Sequence, residues 1–201
     1  MCNLLKIKNL SLLPLLLLLA NPAMVQAQFT FITNNGAITI TGYNTAAGLS
    51  VVIPAATNGY PVTRIGDEAF WLCNLTNLTI PDSVITIGRY SFYDCTSLSS
   101  VIIGNSVTNI VEGAFQNCAM LTSVTIGNSV KIIGDEAFGS CTSLTNITVN
   151  TANAAYSSSG GVLFDNARAT LIQFPTGWGV ATRFPTLSPI LEIMRSRIAP
   201  A

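Results

Sequence analysis

Between Leu75 and Val149 the apolar residues return every 23 positions, far from the short period of an amphipathic helix. Leu75, Leu98, Leu121 and Leu144 form one column, and Leu78, Val101, Val124 and Ile147 a second. Ile80, Ile103, Ile126 and Val149 form a third. Within each copy the second and third columns alternate with polar residues, as in a strand buried on one face. Further along each unit come Val84, Val107 and Val130, then Ile87, Ile110 and Ile133, then Phe92, Phe115 and Phe138, then Cys95, Cys118 and Cys141. A looser earlier copy supplies Val62, Ile65, Phe70 and Cys73. One unit cannot bury its own apolar side, so units must stack and each column becomes a buried ladder. The pattern predicts a mainly β repeat solenoid with parallel strands on one face. Turn residues at Pro81, Gly104 and Gly127 end the first strand before a second, shorter extended piece. Gly-Asp-Glu-Ala-Phe, starting at Gly66 and Gly134, reads as a short helical turn.

The repeated pattern Ile-Pro-x-Ser-Val-x-x-Ile-Gly-x-x-Ala-Phe-x-x-Cys-x-x-Leu, carried by Ile80 to Leu98 and its copies, resembles the BspA-type leucine-rich repeat. The resemblance covers roughly Val51 to Val149. It implies a leucine-rich-repeat architecture, export or surface display, binding to a protein or to host matrix, and no catalysis. Phe29 to Tyr43 resembles the strand pair that precedes such repeats, an N-terminal β-hairpin cap. Tyr156 to Pro175 resembles a hairpin that interrupts them. The sequence departs from the pattern in two places. Val111 stands where Gly66, Gly88 and Gly134 stand in the other copies, so that position does not require a positive φ. The first copy carries extra residues between Pro54 and Val62, which suits a capping unit.

The amino terminus is of another kind. Lys6 and Lys8 precede the apolar run Leu10 to Ala20, and small residues follow up to Val25 and Ala27. This is a secretory signal pattern with a cut before Gln28, the run being shorter than the roughly 20 apolar residues of a spanning helix. The expected organisation is a signal peptide at 1–27, a β cap at 28–48, leucine-rich repeats at 49–149 and a β-hairpin interruption at 150–179. The remainder, 180–201, has no ladder. Read one base out of step, the codons of Arg183 to Ile198 can spell Ile-Pro, Ser-Val, Ile-Gly, Ala-Phe and Cys in repeat order. We therefore read this tail as a frameshifted, non-native repeat, which leaves the last coil without its usual neighbour. An open strand edge templates association, so end-to-end self-association is expected.

Histidine is absent, which removes the commonest general base and the usual nucleophile activator. Of nine basic residues two, Lys6 and Lys8, precede the cut, leaving seven against nine acidic ones. That balance speaks against nucleic acid as partner, and no later stretch is long enough to span a membrane. Asp67-Glu68 and Asp135-Glu136 recur three units apart, about 14 Å at the rung spacing of a sheet, too far for an acid pair working on one glycosidic bond. The four cysteines after the cut lie on one line. Parallel rungs hold Cβ atoms about 4.7–4.9 Å apart, beyond the roughly 3.5–4.5 Å of a disulfide, so buried free thiols are expected, and a line does not converge on a metal. No catalytic residue, metal ligand or cofactor site is assigned, and the chain is read as no enzyme.

The outward positions of the strands are the candidate partner-binding residues: Thr76, Asn77 and Thr79; Ser99, Ser100 and Ile102; Thr122, Ser123 and Thr125; Thr145, Asn146 and Thr148. They make a neutral hydroxyl and amide face able to bond a glycan or another protein's polar surface. The bland account is that Ser and Thr simply suit an exposed strand. The sequence thus points to a secreted or cell-surface, adhesin-like module for an extracellular protein or glycan. The alternatives are a structural surface repeat or a truncated, non-functional fragment of a longer repeat protein.

Overall fold

The computed structural model describes residues 28–44, 49–168 and 170–173. The signal segment 1–27 and the tail 180–201 lie outside the described residues.

Alternation within each repeat produces two strands per coil, and stacking of coils pairs them in register. The first strands form a five-stranded parallel sheet: β3 (Ser50–Val52), β6 (Asn77–Ile80), β8 (Ser100–Ile103), β10 (Ser123–Ile126) and β12 (Asn146–Val149). Asn77 pairs with Ser100, Ser123 with Ser100 and with Asn146, so equivalent repeat positions are neighbours. The second strands, β5 (Tyr60–Ile65), β7 (Thr86–Ile87), β9 (Asn109–Ile110) and β11 (Ile132–Ile133), also pair in parallel. Parallel strands therefore line two faces of the coil rather than one.

The expected amino-terminal hairpin is present. β1 (Phe29–Asn34) and β2 (Ala37–Tyr43) are antiparallel, and β2 joins the second sheet beside β5. Their two-residue turn holds Asn35 and Gly36 at φ 49° and 74°, the left-handed pair that matches the twist of a hairpin. The extra residues of the first copy fold as β4 (Ala56–Thr57), antiparallel to β5. At the other end β13 (Tyr156–Ser159), β14 (Val162–Asp165) and β15 (Leu171–Gln173) form a three-stranded antiparallel sheet. It lies against the last parallel strand: Ile147 N–H donates to Gly161 O at 3.0 Å and Val149 N–H to Ser158 Oγ at 3.0 Å.

Between the two parallel sheets lies one core, and its ladders are those of the sequence. Leu75, Leu98, Leu121 and Leu144 are fully buried, as are Val84, Val107 and Ile110. The phenylalanine column stacks face to face, with ring centroids 4.7, 5.0 and 5.5 Å apart from Phe70 through Phe92 and Phe115 to Phe138. Tyr43 of the amino-terminal hairpin stacks on Phe70 at 5.4 Å and Phe29 meets it edge-on, so the cap extends the ladder by its own aromatic rings.

The short helical turns are a correction, for no residue of the repeats 49–149 is helical. The backbone amides show why. Ala69, Trp71 and Cys73 donate back three residues to Gly66, Glu68 and Phe70, while Glu68, Phe70 and Leu72 donate across to the next coil at Arg89, Ser91 and Tyr93. Alternate amides thus serve alternate purposes, and a helical ladder cannot form. Each segment is two successive tight turns, with left-handed residues at Glu68 and Leu72, Tyr90 and Asp94, Gly113 and Asn117, Glu136 and Ser140. The glycines at 66, 88 and 134 are not left-handed. A side chain at Gly134 would come within 2.5 Å of the Glu112 amide of the preceding coil, so this glycine serves close stacking.

Candidate partner-binding face

Period-two alternation sends Leu78, Val101, Val124 and Ile147 into the core and turns their neighbours outward. Eight of the twelve residues assigned to the face lie on the outer side of the strands, while Thr76, Ser99, Thr122 and Thr145 each stand one residue before a strand begins, and none of the twelve is buried. They fall into three columns with different chemistry.

The first column, Thr76, Ser99, Thr122 and Thr145, is spent on the fold. Each hydroxyl donates to a backbone carbonyl one coil back: Thr76 to Leu49 at 3.3 Å, Ser99 to Thr76 at 2.8 Å, Thr122 to Ser99 at 2.9 Å and Thr145 to Thr122 at 3.2 Å. These residues staple neighbouring coils at the strand entrance and have no proton left for a partner. The second column is Asn77, Ser100, Ser123 and Asn146, continued at its end by Ser50. Here Ser100 Oγ donates to Asn77 Oδ1 at 2.9 Å and Asn146 Nδ2 to Thr148 Oγ1 at 3.3 Å, which orients the amides across the face. The third column is Thr79, Ile102, Thr125 and Thr148, continued by Val52. It is the most open: Ile102 is 53% exposed and Val52 69%, and no hydrogen bond engages the hydroxyl of Thr79 or Thr125.

The result is an uncharged strip five strands wide, with an amide and hydroxyl row beside a row of threonines broken by two aliphatic side chains. It can offer donors, acceptors and small apolar patches to a surface laid across the strands. Among the described residues no group of three or more His, Cys, Asp or Glu could hold a metal ion. No helix among them is long and apolar enough to cross a membrane.

Of the repeated acidic positions, Asp67 serves the fold. Asp67 pairs with Arg64 at 2.8 Å and accepts the Arg89 backbone N–H at 3.0 Å, which ties one coil to the next. Among the described residues Cys73, Cys95, Cys118 and Cys141 form no disulfide and are buried. Cys95, Cys118 and Cys141 donate their thiol protons to Phe70, Phe92 and Phe115 carbonyls at 3.1, 3.2 and 3.1 Å. Burial, reinforced by the neighbouring Cys95, pushes Cys73 up to about 11, so this thiol stays protonated and weakly nucleophilic.

One exposed aromatic group lies outside the ladder pattern. Trp71, Tyr90 and Tyr93 sit at positions that vary between repeats, beside Phe70 and Phe92 but facing outward. Trp71 and Tyr93 share a position in successive units, and that pairing of large aromatic residues at a non-ladder position was the available signal.

Comparison with known families matches the BspA type leucine rich repeat region, in six copies, to residues 63–178. Comparison with curated proteins returns no match. Among solved structures, a leucine-rich repeat protein from Bacteroides capillosus is 38% identical, with a TM-score of 0.56, over 61% of this chain and 94% of that one. The T. pallidum leucine-rich repeat protein is 28% identical, with a TM-score of 0.51, over 60% of this chain and 68% of its own. The pneumococcal vaccine antigen PcpA shares the fold at 20% identity and a TM-score of 0.56, over 73% of this chain and 54% of that one. The ladders, the coil geometry and the matched repeats agree: the chain belongs to the BspA-type leucine-rich repeat family, a family typical of cell surfaces.

Proposed function

We propose that this chain is an exported, adhesin-like module that meets an extracellular protein or glycan through the outer face of its five-stranded sheet. The observation that carries the reading is the split between columns. The Thr76 column spends its hydroxyls on the backbone, whereas Thr79 and Thr125 keep theirs free beside exposed Ile102 and Val52. Strand propensity explains Ser and Thr on an exposed face; it does not explain two exposed aliphatic residues in register with free hydroxyls, which is the mixed character of a binding surface. Export is supported by the Lys6, Lys8 and Leu10 to Ala20 pattern and by the family. The test is capture of the purified chain by immobilised matrix proteins and neutral glycans, with lysines placed at Asn77, Ser100, Ser123 and Asn146 as the blocked variant.

A second reading, a structural repeat that assembles end to end, is favoured by one observation. The amides of Glu68, Tyr90 and Gly113 each donate to the following coil, at Arg89, Glu112 and Asp135. Among the described residues those of Glu136, Phe138 and Ser140 meet no such acceptor. Two of these residues, Glu136 and Phe138, line a cleft of about 410 Å³ between Gly134–Phe138 and the exposed Leu171 and Ile172. A backbone edge of another copy can complete them.

A further inference from the structure

We infer that the stacked turns carry a second, separate site, an aromatic cleft that binds one ring of a neutral pyranose sugar. It does not depend on the strand face, from which it differs in element and chemistry. The cleft, about 350 Å³, is lined by Glu68, Trp71, Tyr90, Tyr93 and Gln116, within the size of small-ligand sites.

Its rings are held in place. Gly113, at φ 61°, lies under the Tyr90 ring, where any β-carbon would collide with it, so the turn glycine makes the floor on which the ring lies. The Tyr90 hydroxyl donates to Glu112 Oε1 at 2.9 Å, and Arg89 reaches the same oxygen at 2.8 Å while its guanidinium carbon sits 4.9 Å from the Tyr90 centroid. Tyr93 stands edge-on to both neighbours, 6.4 Å from Trp71 at 73° and 5.5 Å from Tyr90 at 81°, and its hydroxyl accepts from Asn117 Nδ2 at 2.9 Å. Trp71 is half exposed, an indole this large left in water at a site otherwise organised.

A pyranose has an apolar C–H face and a rim of hydroxyls, so it needs an aromatic plate edged by hydrogen-bonding groups. Here Trp71 supplies the plate, and the Glu68 carboxylate and Gln116 amide line the same cleft. A cage of aromatic rings also suits a quaternary ammonium ion, but the Tyr90 ring already carries the Arg89 guanidinium at 4.9 Å and lies on Gly113, so it has no free face to offer a cation. A pyranose needs only the one open plate of Trp71.

The test is titration of the full-length protein with neutral hexasaccharides built from β-linked glucose, mannose or galactose, and with tetramethylammonium. Binding is read by the chemical shifts of the Trp71 indole N–H and by calorimetry. We expect saturable binding to at least one hexasaccharide, weakened about tenfold or more in Trp71→Ala and unchanged in Thr125→Lys on the strand face. Trp71→Phe, which keeps a plate, retains part of the affinity and guards against a folding defect. Binding of none of the three sugars, binding lost in Thr125→Lys rather than Trp71→Ala, or tetramethylammonium binding in their place would overturn the site.

Discussion

Single residues show where the repeat is satisfied and where it is not. Ser91 occupies the column that Ala69, Ala114 and Ala137 fill elsewhere, and its fully buried hydroxyl has no hydrogen-bond partner. A buried unsatisfied polar group costs roughly 1–3 kcal/mol. Ser91→Ala is therefore expected to raise the unfolding free energy by about 1 kcal/mol, measurable as a higher urea midpoint at unchanged slope; an equal or lower midpoint would show that the hydroxyl has a partner. Cys73 gives a pH dependence. Its folded value of about 11 lies above the ordinary thiol value of 9.0 because burial disfavours the thiolate. The stability tied to the neutral thiol is complete below pH 9 and is lost as pH rises through 11. Denaturation between pH 8 and 11 is expected to show that decline, and Cys73→Val to flatten it. An identical decline in the variant would assign it to other groups.

At the scale of elements, the strands and core ladders were legible because a period of 23 leaves each apolar column only one way to be buried. The turns were not, since Gly-Asp-Glu-Ala-Phe is locally compatible with a helix and only the neighbouring coil diverts every second amide. Left-handed residues at Asp94, Gly113 and Asn117 were the readable trace of that choice. The ends depend on particular residues rather than on the repeat. Asn153 is buried; its Nδ2 donates to Gly127 O at 2.9 Å and Val130 O at 3.1 Å, and its Oδ1 accepts from Ala155 and Tyr156 amides at 2.8 Å each. One side chain thus closes carbonyls that another coil would otherwise meet. Asn153→Ala leaves them open and is expected to cost about 2–4 kcal/mol, with hydrogen exchange fastest around β11 and β13. A loss below 0.5 kcal/mol would mean that water replaces the side chain at little cost.

At the scale of the molecule, the outer columns of Asn77 and Thr79 were legible in the sequence because strand alternation decides which side chains of a strand point out, whereas the Thr76 column stands ahead of the strands. The division of the face into spent and free columns was not legible, because that depends on which carbonyl of the previous coil each hydroxyl reaches. The aromatic cleft was hidden for a similar reason: Tyr90 and Gln116 lie 26 positions apart and meet only through stacking. The amides of Glu136, Phe138 and Ser140, which meet no backbone acceptor among the described residues, carry a prediction about assembly. Light scattering of the purified protein is expected to show concentration-dependent association, reduced by Leu171→Lys, which sets a charge at an exposed position in the cleft beside these donors. A monodisperse monomer across the concentration range would exclude this edge as an assembly surface.

The central claim is that the five-stranded face is the binding surface. The direct measurement is capture of the protein by immobilised extracellular-matrix proteins and neutral glycans, compared between the native chain and the variant carrying Asn77→Lys, Ser100→Lys, Ser123→Lys and Asn146→Lys. The four positions are exposed or half-buried on the outer face, so matched circular dichroism and melting certify the fold. Capture of the native chain and its loss in the variant is the predicted result; capture by neither, or equal capture by both, would contradict it.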